Sequence, residues 1–334
     1  MTGRAKIIGT GSYLPKRILT NKELEKIVET NDEWISTRTG IKSRRIAGAG
    51  EETSKMAAQA AIKALSMAGV TAQELDMIIL GTITAEMVMP SCACLVQKEI
   101  GAENAFAFDV SAACSGFVYA LEIADRYLKN APDMKILVIG AETLSARVNW
   151  QDRNTCVLFG DGAGACVVSG SKDENGLLAS QLYSDGRLWQ LLSLDAVPRR
   201  YCPVVDYETI PDRDSFCDGS AFNMVGKDVF KHAVREMGDA VENLLKREGI
   251  TLDDIDLMIP HQANIRILKS LAERVSLPFE KVYTTIQKYG NSSAASLPIA
   301  LDEANREGRL QKGDLLLFSV FGGGFTWGVA LWRW

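Results

Sequence analysis

Short runs of consecutive apolar residues alternate along the chain with longer segments in which apolar residues recur every three or four positions. The short runs predict buried strands, and the longer segments predict amphipathic helices. Such alternation is typical of layered α/β folds. The strands are predicted at Met77–Gly81, Ala105–Val110, Lys135–Gly140, Asp256–Pro260 and Asp314–Val320, and the helices at Ser54–Ala68, Ser115–Lys129, Asp228–Glu248 and Asn264–Val275.

The sequence also contains an internal repeat. Residues 69–79 resemble residues 249–259 at a shift of 180, and residues 119–122 resemble residues 299–302 at the same shift. A glycine-rich segment follows near the end of each half, at Phe159–Gly164 and Phe321–Thr326, where the shift is 162. Matches in the same order predict a duplicated α/β unit with halves 1–172 and 173–334, joined by the polar segment Ser169–Gly176.

The duplication predicts where a site should lie. Ligands of open α/β sheets gather at the carboxyl ends of the strands. Cys114 follows the predicted strand that ends at Val110, and His261 follows the strand that ends at Pro260. Asn291 lies in a turn before a helical segment of the second half. We therefore expect the turns that carry these three residues to meet.

Composition narrows the function classes. The formal net charge of -5 disfavours nucleic-acid binding, which needs a basic surface. No segment approaches the roughly 20 apolar residues that span a bilayer, and the first residues lack the apolar core of a signal peptide. We therefore expect a cytoplasmic protein with no membrane association.

The cysteines and histidines limit the available chemistry. The chain has seven cysteines without a Cys-x-x-Cys pair, which is typical of reduced thiols rather than of a disulfide framework. It has two histidines, so a histidine-rich metal site is not expected.

Cys114 is the candidate nucleophile. An apolar strand ends before it, small residues allow a bend, and a helix is predicted to begin beside it. The N–H groups and dipole at a helix N-terminus favour a thiolate. The alternative is a small buried residue at a tight strand–helix junction, and free cysteines are more often of that kind. The other six cysteines lack this setting and are interpreted as core residues.

His261 and Asn291 are the candidate partners. A histidine paired with a cysteine at an equivalent strand end suits nucleophilic catalysis, although His261 alone is equally consistent with a hydrogen-bonded loop residue. Asn291 can donate to an oxyanion, but a helix cap or turn is the commoner use of such an asparagine. His232 is interpreted as an ordinary residue of its predicted helix.

The two glycine strings have different interpretations. Gly160–Gly164 superficially resembles a dinucleotide fingerprint, but a strand-like segment follows it instead of a helix. We therefore predict a tight β-hairpin at that string. Gly322–Gly324 permits either a sharp turn or the close approach of backbone to a ligand.

Taken together, these segments resemble the β-ketoacyl-[acyl-carrier-protein] synthase III family. The resemblance extends over the whole chain and favours the catalytic interpretation of all three candidates. It implies a thiolase-like α/β fold, a five-layered αβαβα arrangement of two duplicated halves, and a homodimer. The segments that carry it are Ser111–Gly116, His261–Asn264, Tyr289–Ser296, Asn31–Arg45, Phe159–Ala165 and Phe321–Gly328.

The resemblance implies a two-step reaction. Cys114 would take a short acyl group from acyl-CoA, with the N–H groups of Cys114 and Gly323 as the oxyanion hole. His261 and Asn291 would then bind the thioester carbonyl of malonyl-acyl-carrier-protein, stabilise the enolate left by decarboxylation, and so direct carbon–carbon bond formation. No metal or other cofactor is implied.

The resemblance also implies three binding regions. Trp34 and Arg153 are expected to enclose the adenine of CoA, with Arg38 nearby. Phe321 is expected to border the acyl pocket, and Met89 to belong to a segment that enters the partner's pocket. The carrier protein is expected to dock on Gln262, Ala263, Asn264, Ile265, Arg266, Lys231 and Lys269, with Arg235 and Arg274 also basic. A solvated helix face is the alternative for these charges.

Two departures from the family pattern leave specificity open. Met87–Pro90 lacks the aromatic residue that often precedes this proline, and Lys227 stands where an asparagine often contacts pantetheine. One alternative function is therefore a relative that primes a polyketide or signal molecule with the same triad. Another is a non-catalytic acyl- or CoA-binding homologue, which the intact triad disfavours.

Overall fold

The computed structural model describes residues 4–171, 174–194 and 222–334. Cys202, Cys217 and the expected boundary between the halves, at residues 172 and 173, lie outside them. The strands are β1 (Arg4–Tyr13), β2 (Arg17–Thr20), β3 (Ser43–Ile46), β4 (Met77–Gly81), β5 (Phe106–Val110), β6 (Lys135–Glu142), β7 (Gly162–Ser171), β8 (Gly176–Ser184), β9 (Leu192–Leu194), β10 (Phe222–Met224), β11 (Leu257–Pro260), β12 (Leu315–Gly322) and β13 (Thr326–Arg333).

Two sheets organise the described residues. The first has the strand order β1–β7–β6–β4–β5, and the second has the order β8–β13–β12–β11. In the first sheet, β4 pairs in parallel with β5 and β6, and in the second sheet β11 pairs in parallel with β12. The remaining pairs of both sheets are antiparallel.

Helices cover and separate the two sheets. They are α1 (Asn21–Leu24), α2 (Asp32–Thr39), α3 (Thr53–Ala68), α4 (Cys92–Ile100), α5 (Gly116–Asn130), α6 (Gly226–Glu248), α7 (Ile265–Arg274), α8 (Ile286–Tyr289) and α9 (Ser296–Arg306). The apolar faces of α5 and α9 are buried between the sheets. Helices α3 and α4 cover the first sheet, and α6 and α7 cover the second. The five layers αβαβα are therefore confirmed.

The internal repeat is visible in three dimensions. Strands β4 and β11, strands β6 and β12, and helices α5 and α9 each begin 180 residues apart. Single 3₁₀ turns at Ala113–Ser115 and Ser293–Ala295 have the same shift. Their first residues both have positive φ, 44° at Ala113 and 49° at Ser293. The duplication therefore reproduces the local backbone as well as the order of the strands.

The predicted elements agree with the structure to within two residues at each end. The tight hairpin predicted at Gly160–Gly164 is wrong. β7 begins at Gly162, and its antiparallel pair with β6 ends at Glu142 and Gly162 across the long connection 143–161. The tight hairpin lies at the second glycine string instead, where β12 and β13 pair from Gly322 and Thr326 onward.

Candidate active site

Cys114 lies in the 3₁₀ turn between β5 and α5. Two hydrogen bonds fix this turn to β13: the Ser115 hydroxyl donates to the Thr326 carbonyl (3.0 Å), and the Thr326 hydroxyl donates to the Ala112 carbonyl (2.9 Å). Burial, together with the charge of Glu142, raises the pKa of the Cys114 thiol to about 12, although a hydrogen bond with Ser293 lowers it. The sequence argument for a thiolate at the helix N-terminus is therefore outweighed by desolvation, which favours the neutral thiol.

The strand end at Gly322 lies against the backbone of Cys114. A Cβ on Gly322 would lie 2.7 Å from the Cys114 nitrogen, which is closer than side chains can approach. The backbone of β12 therefore reaches Cys114 only because residue 322 is glycine. Gly323 follows directly and lines the same cavity as Cys114.

His261 is fixed directly after β11. Its N–H donates to the Ser319 carbonyl (2.8 Å), and its Nδ1 lies 2.7 Å from the Ser296 hydroxyl oxygen. That hydroxyl also accepts from the Gln262 N–H (3.2 Å) and can either donate to Nδ1 or accept from it. Donation to Nδ1 leaves the imidazole proton on Nε2. Burial lowers the pKa of His261 to about 3, so it is a neutral donor.

Asn291 is held by its backbone and by its own amide oxygen. Its N–H donates to the Leu158 carbonyl (2.9 Å), and its carbonyl accepts from the Gly160 N–H (3.0 Å). Its Oδ1 accepts from the Ser293 N–H (2.8 Å), which leaves the amide NH₂ as the free end of the side chain. The first glycine string thus positions Asn291.

The side chains of Cys114, His261 and Asn291 line one cavity of about 1370 Å³. The same cavity reaches Trp34, Arg38, Lys227, Phe321 and Gly323. The turns of the two halves meet, as the duplication predicted. A thiol and two neutral hydrogen-bond donors around one space are suited to acyl transfer and to stabilising an enolate.

The expected CoA residues lie together. The guanidinium carbons of Arg38 and Arg153 are each 5.2 Å from the centroid of the Trp34 ring. Arg153 also donates to the Glu29 carbonyl (3.2 Å). Trp34 and Arg38 line the cavity, and Arg153 reaches the site through its contact with Trp34.

The two residues expected at the acyl pocket lie in different environments. Phe321 is buried and lines the cavity. Met89 is 84% exposed and does not line this cavity, while its neighbours Met87 and Val88 do. The apolar side chains of Met87, Val88 and Met89 are therefore all exposed at the surface of this chain.

Some of the expected docking residues are exposed at the surface, whereas others are buried or line the cavity. Arg266, Lys231 and Lys269 are exposed, and Ala263 and Asn264 line the cavity. Ile265 packs at the start of α7, close to Gly40. Gln262 departs from the docking prediction. It is buried, its NH₂ donates to the Pro260 and Tyr283 carbonyls, and its Oε1 accepts from the Thr285 and Ile286 N–H groups.

Two of the additional basic residues are internally paired. Arg274 forms ion pairs with Asp239 and Glu242, and Arg235 pairs with Glu236. In contrast, Arg266 contacts the Phe230 ring at 5.7 Å and Lys269 contacts the Phe279 ring at 5.9 Å. Of the five basic residues considered for docking, Arg266, Lys269 and Lys231 form no ion pair with a described residue, so their charges are available to a partner.

Sequence reasoning missed Ser293, Ser296 and Glu142. Ser296 orients His261, and Ser293 bonds to both Glu142 and Asn291. The repeat contained a signal for Ser293, because a shift of 180 places it on Ala113, next to the candidate nucleophile Cys114.

Among the described residues, no group of His, Cys, Asp and Glu side chains is arranged to hold a metal ion. No helix in the described ranges is long and apolar enough to cross a membrane.

Comparison with known proteins gives consistent matches. A sequence model described as 3-oxoacyl-[acyl-carrier-protein] synthase III matches residues 108–186, and the model of that family's C-terminal part matches residues 245–334. Curated relatives named beta-ketoacyl-[acyl-carrier-protein] synthase III include those of Desulfotalea psychrophila and Aquifex aeolicus. They are 55% and 51% identical, each over 98% of this chain and 99% of its own length.

Solved structures match over the same extent. The 3-oxoacyl-[acyl-carrier-protein] synthase III of Aquifex aeolicus has a TM-score of 0.90 and 50% identity, covering 99% of this chain and 100% of that one. A priming β-ketosynthase from the R1128 polyketide pathway has a TM-score of 0.89 and 34% identity, covering 99% of this chain and 96% of that one.

Proposed function

The chain belongs to the 3-oxoacyl-[acyl-carrier-protein] synthase III family, and from that premise we propose how its residues divide the condensing reaction. It is an acyltransferase of fatty acid biosynthesis that transfers a short acyl group from acyl-CoA and condenses it with malonyl-acyl-carrier-protein to give 3-ketoacyl-acyl-carrier-protein. The residue roles rest on the geometry of the cavity.

In the first step, the sulfur of Cys114 attacks the acyl-CoA carbonyl. The carbonyl oxygen becomes an oxyanion that accepts hydrogen bonds from the N–H groups of Cys114 and Gly323. CoA then leaves as a thiol, and the acyl group stays on Cys114. The contact between Gly322 and the Cys114 backbone supports this arrangement, because it places the strand end that carries Gly323 against Cys114.

In the second step, His261 Nε2–H and the Asn291 NH₂ donate to the thioester carbonyl of the malonyl group. Loss of carbon dioxide leaves an enolate on that oxygen, and its carbon attacks the acyl group on Cys114. One observation carries this assignment: each of the two donors has its other polar atom already occupied, by Ser296 and by the Ser293 N–H.

The proposal includes the binding regions. Trp34, Arg38 and Arg153 contact CoA, since a ring flanked by two guanidinium groups suits stacking on adenine. Arg266, Lys231 and Lys269 attract the acidic carrier protein, with Ala263, Asn264 and Ile265 beside them. The chemistry itself needs no metal or redox cofactor, because decarboxylation supplies the carbanion and the thioester supplies the electrophile.

A homodimer in the cytoplasm completes the proposal. β5 is the edge strand of the first sheet, and its Phe106 is 47% exposed. The outward-facing Met87–Met89 segment supplies further apolar surface for a second copy. Free thiols at five cysteines of the described ranges support a reducing compartment.

Intact-mass analysis with a panel of acyl-CoAs tests the first step. We expect one acyl group per chain, mapping to Cys114, and none on Cys114→Ala. The acyl group that reacts fastest also separates fatty acid initiation from priming of a specialised product. A label on Cys92 or Cys156, or on no cysteine, contradicts the assignment of the nucleophile.

The second step is tested with two further variants. His261→Ala and Asn291→Ala should still acylate Cys114, but each should release carbon dioxide from malonyl-carrier about 10²–10³-fold more slowly, the usual cost of losing one oxyanion donor. Normal decarboxylation in both variants contradicts these roles.

A further inference from the structure

Glu142 is a buried carboxyl group that neither step uses. It ends β6, and its Oε2 accepts from the Thr84 hydroxyl (2.6 Å), the Thr82 hydroxyl (3.2 Å) and the Ile83 N–H (3.2 Å). Burial raises its pKa to about 7, although these hydrogen bonds and one from Ser293 lower it. A carboxyl group with such a pKa can exchange a proton near neutral pH.

Ser293 connects this carboxyl group to the nucleophile. Its hydroxyl donates to Glu142 Oε1 (3.0 Å), and Ser293 and Cys114 line the same cavity. The Ser293 side chain also lowers the pKa of the Cys114 thiol. A hydroxyl has one proton to donate. Because that proton points to Glu142, the Ser293 oxygen is left as the acceptor for the thiol proton.

His261 is poorly placed to accept the same proton. When the Ser296 hydroxyl donates to Nδ1, as the second step requires, the imidazole proton is on Nε2. A neutral imidazole in this tautomer has no free lone pair on the side that faces the cavity. The thiol therefore needs a different proton acceptor.

We propose that Cys114 passes its proton through the Ser293 hydroxyl to Glu142. The S–H bond breaks as Ser293 Oγ takes the proton, while the former Ser293 proton moves to Glu142 Oε1. The products are a thiolate, an intact serine hydroxyl and a neutral carboxyl group. When the thiolate forms its bond to the acyl carbon, the departing CoA sulfur takes up the proton held on Glu142.

In this relay Ser293 acts on the reacting sulfur, whereas Glu142 acts through Ser293 and is a positioning residue that stores the proton. The other titratable side chain whose pKa Glu142 influences is Cys92 on α4, which is also influenced by Glu86 and Asp109. This inference rests on the proposed role of Cys114 as nucleophile.

The rate at which iodoacetamide alkylates Cys114, followed by peptide mass between about pH 5 and pH 9, tests the relay. In the wild type, the rate should rise as Glu142 ionises near pH 7 and then level off, because Cys114 and Glu142 share one negative charge. Glu142→Gln cannot take up a proton. Its rate should keep rising by about tenfold per pH unit, as expected for an isolated thiol.

Ser293→Ala should slow alkylation at pH 7 by about tenfold or more, because the thiolate loses a hydrogen-bond donor. Alanine suits this backbone, since Ala113 adopts the same conformation in the other half. Ser145→Ala is the matched control. It removes another buried hydroxyl–carboxylate bond, from Ser145 to Asp161 (2.6 Å), away from the cavity, and should keep the wild-type profile.

A wild-type rate in Ser293→Ala, or a wild-type plateau in Glu142→Gln, overturns the relay. If circular dichroism shows that Glu142→Gln does not fold, the rate of Ser293→Ala decides alone. Alkylation requires no thioester, so a failure of the relay is distinguishable from a failure of Cys114 to accept acyl groups.

Discussion

A Ser296 hydroxyl that donates to Nδ1 keeps the imidazole proton of His261 on Nε2. Ser296→Ala removes the hydroxyl that donates to Nδ1, so the imidazole can take the other tautomer and lose its Nε2–H. We expect carbon dioxide release from malonyl-carrier to fall by about tenfold, since one hydrogen bond contributes about 1 kcal/mol. Acylation of Cys114, measured by intact mass, should remain close to the wild-type rate.

The ratio of the two half-reactions separates orientation from general damage. Ser145→Ala serves again as the control, because the hydrogen bond that it removes, from Ser145 to Asp161, involves none of the three proposed catalytic residues. An equal loss of acylation and decarboxylation in Ser296→Ala contradicts the orienting role.

Which residues form the candidate site was easier to predict from the sequence than their protonation states and hydrogen bonds. Cys114, His261 and Asn291 could be selected because each lies at a strand end or before a helix. The protonation state of Cys114 could not be predicted, because desolvation at the cavity depends on packing between the two halves. Gln262 was misplaced for a related reason: its sequence position next to His261 says nothing about its four internal hydrogen bonds.

At the scale of elements, the exposed charges at and near α7 form the proposed docking surface for the carrier protein. Arg266→Glu, alone or with Lys269→Glu, should raise KM for malonyl-carrier and leave acylation by acyl-CoA nearly unchanged. The effect should shrink with added salt, because the Debye length falls from about 10 Å at 0.1 M to about 3 Å at 1 M. Steady-state kinetics at two salt concentrations measure both effects.

Lys98→Glu is the matched control, because it makes the same charge change on α4, which covers the other sheet. Equal carrier kinetics for Arg266→Glu and the wild type at low salt would return Arg266 to an ordinary solvated helix face.

The elements were predicted well because hydrophobic periodicity is local. Strand β4 was predicted with its observed bounds, and helix α3 to within one residue. The hairpin was assigned to the wrong glycine string, because both strings permit a turn. The choice depends on which strands pair, and β7 pairs with β1 from the start of the chain.

At the scale of the whole molecule, the β5 edge is the proposed contact between two copies. Phe106 lies on that edge with its ring centroid 6.4 Å from Phe108 and 6.0 Å from Tyr127. Phe106→Asp places a charge in this apolar patch and should halve the mass measured by light scattering after size exclusion.

Ile62→Asp is the control for this experiment. Ile62 is 46% exposed, nearly the same as Phe106, but lies on α3 in the outer layer. It should keep the mass of the wild type. A wild type that is monomeric, or a Phe106→Asp variant that keeps the full mass, contradicts the proposed contact.

The two duplicated turns differ in the space that surrounds them. Position 294 corresponds to Cys114, but there the opposing strand approaches so closely that a Cβ on Gly140 would lie 2.2 Å from the Ala294 carbonyl oxygen. Ala294 is fully buried, and no room is left beside it for a thioester. A cysteine introduced at 294 would therefore match the proposed nucleophile in position but would be inaccessible to an acyl-CoA. The internal repeat therefore gives the chain two equivalent turns. Neighbouring backbone fills the space beside one of them, so only the other can bind a substrate.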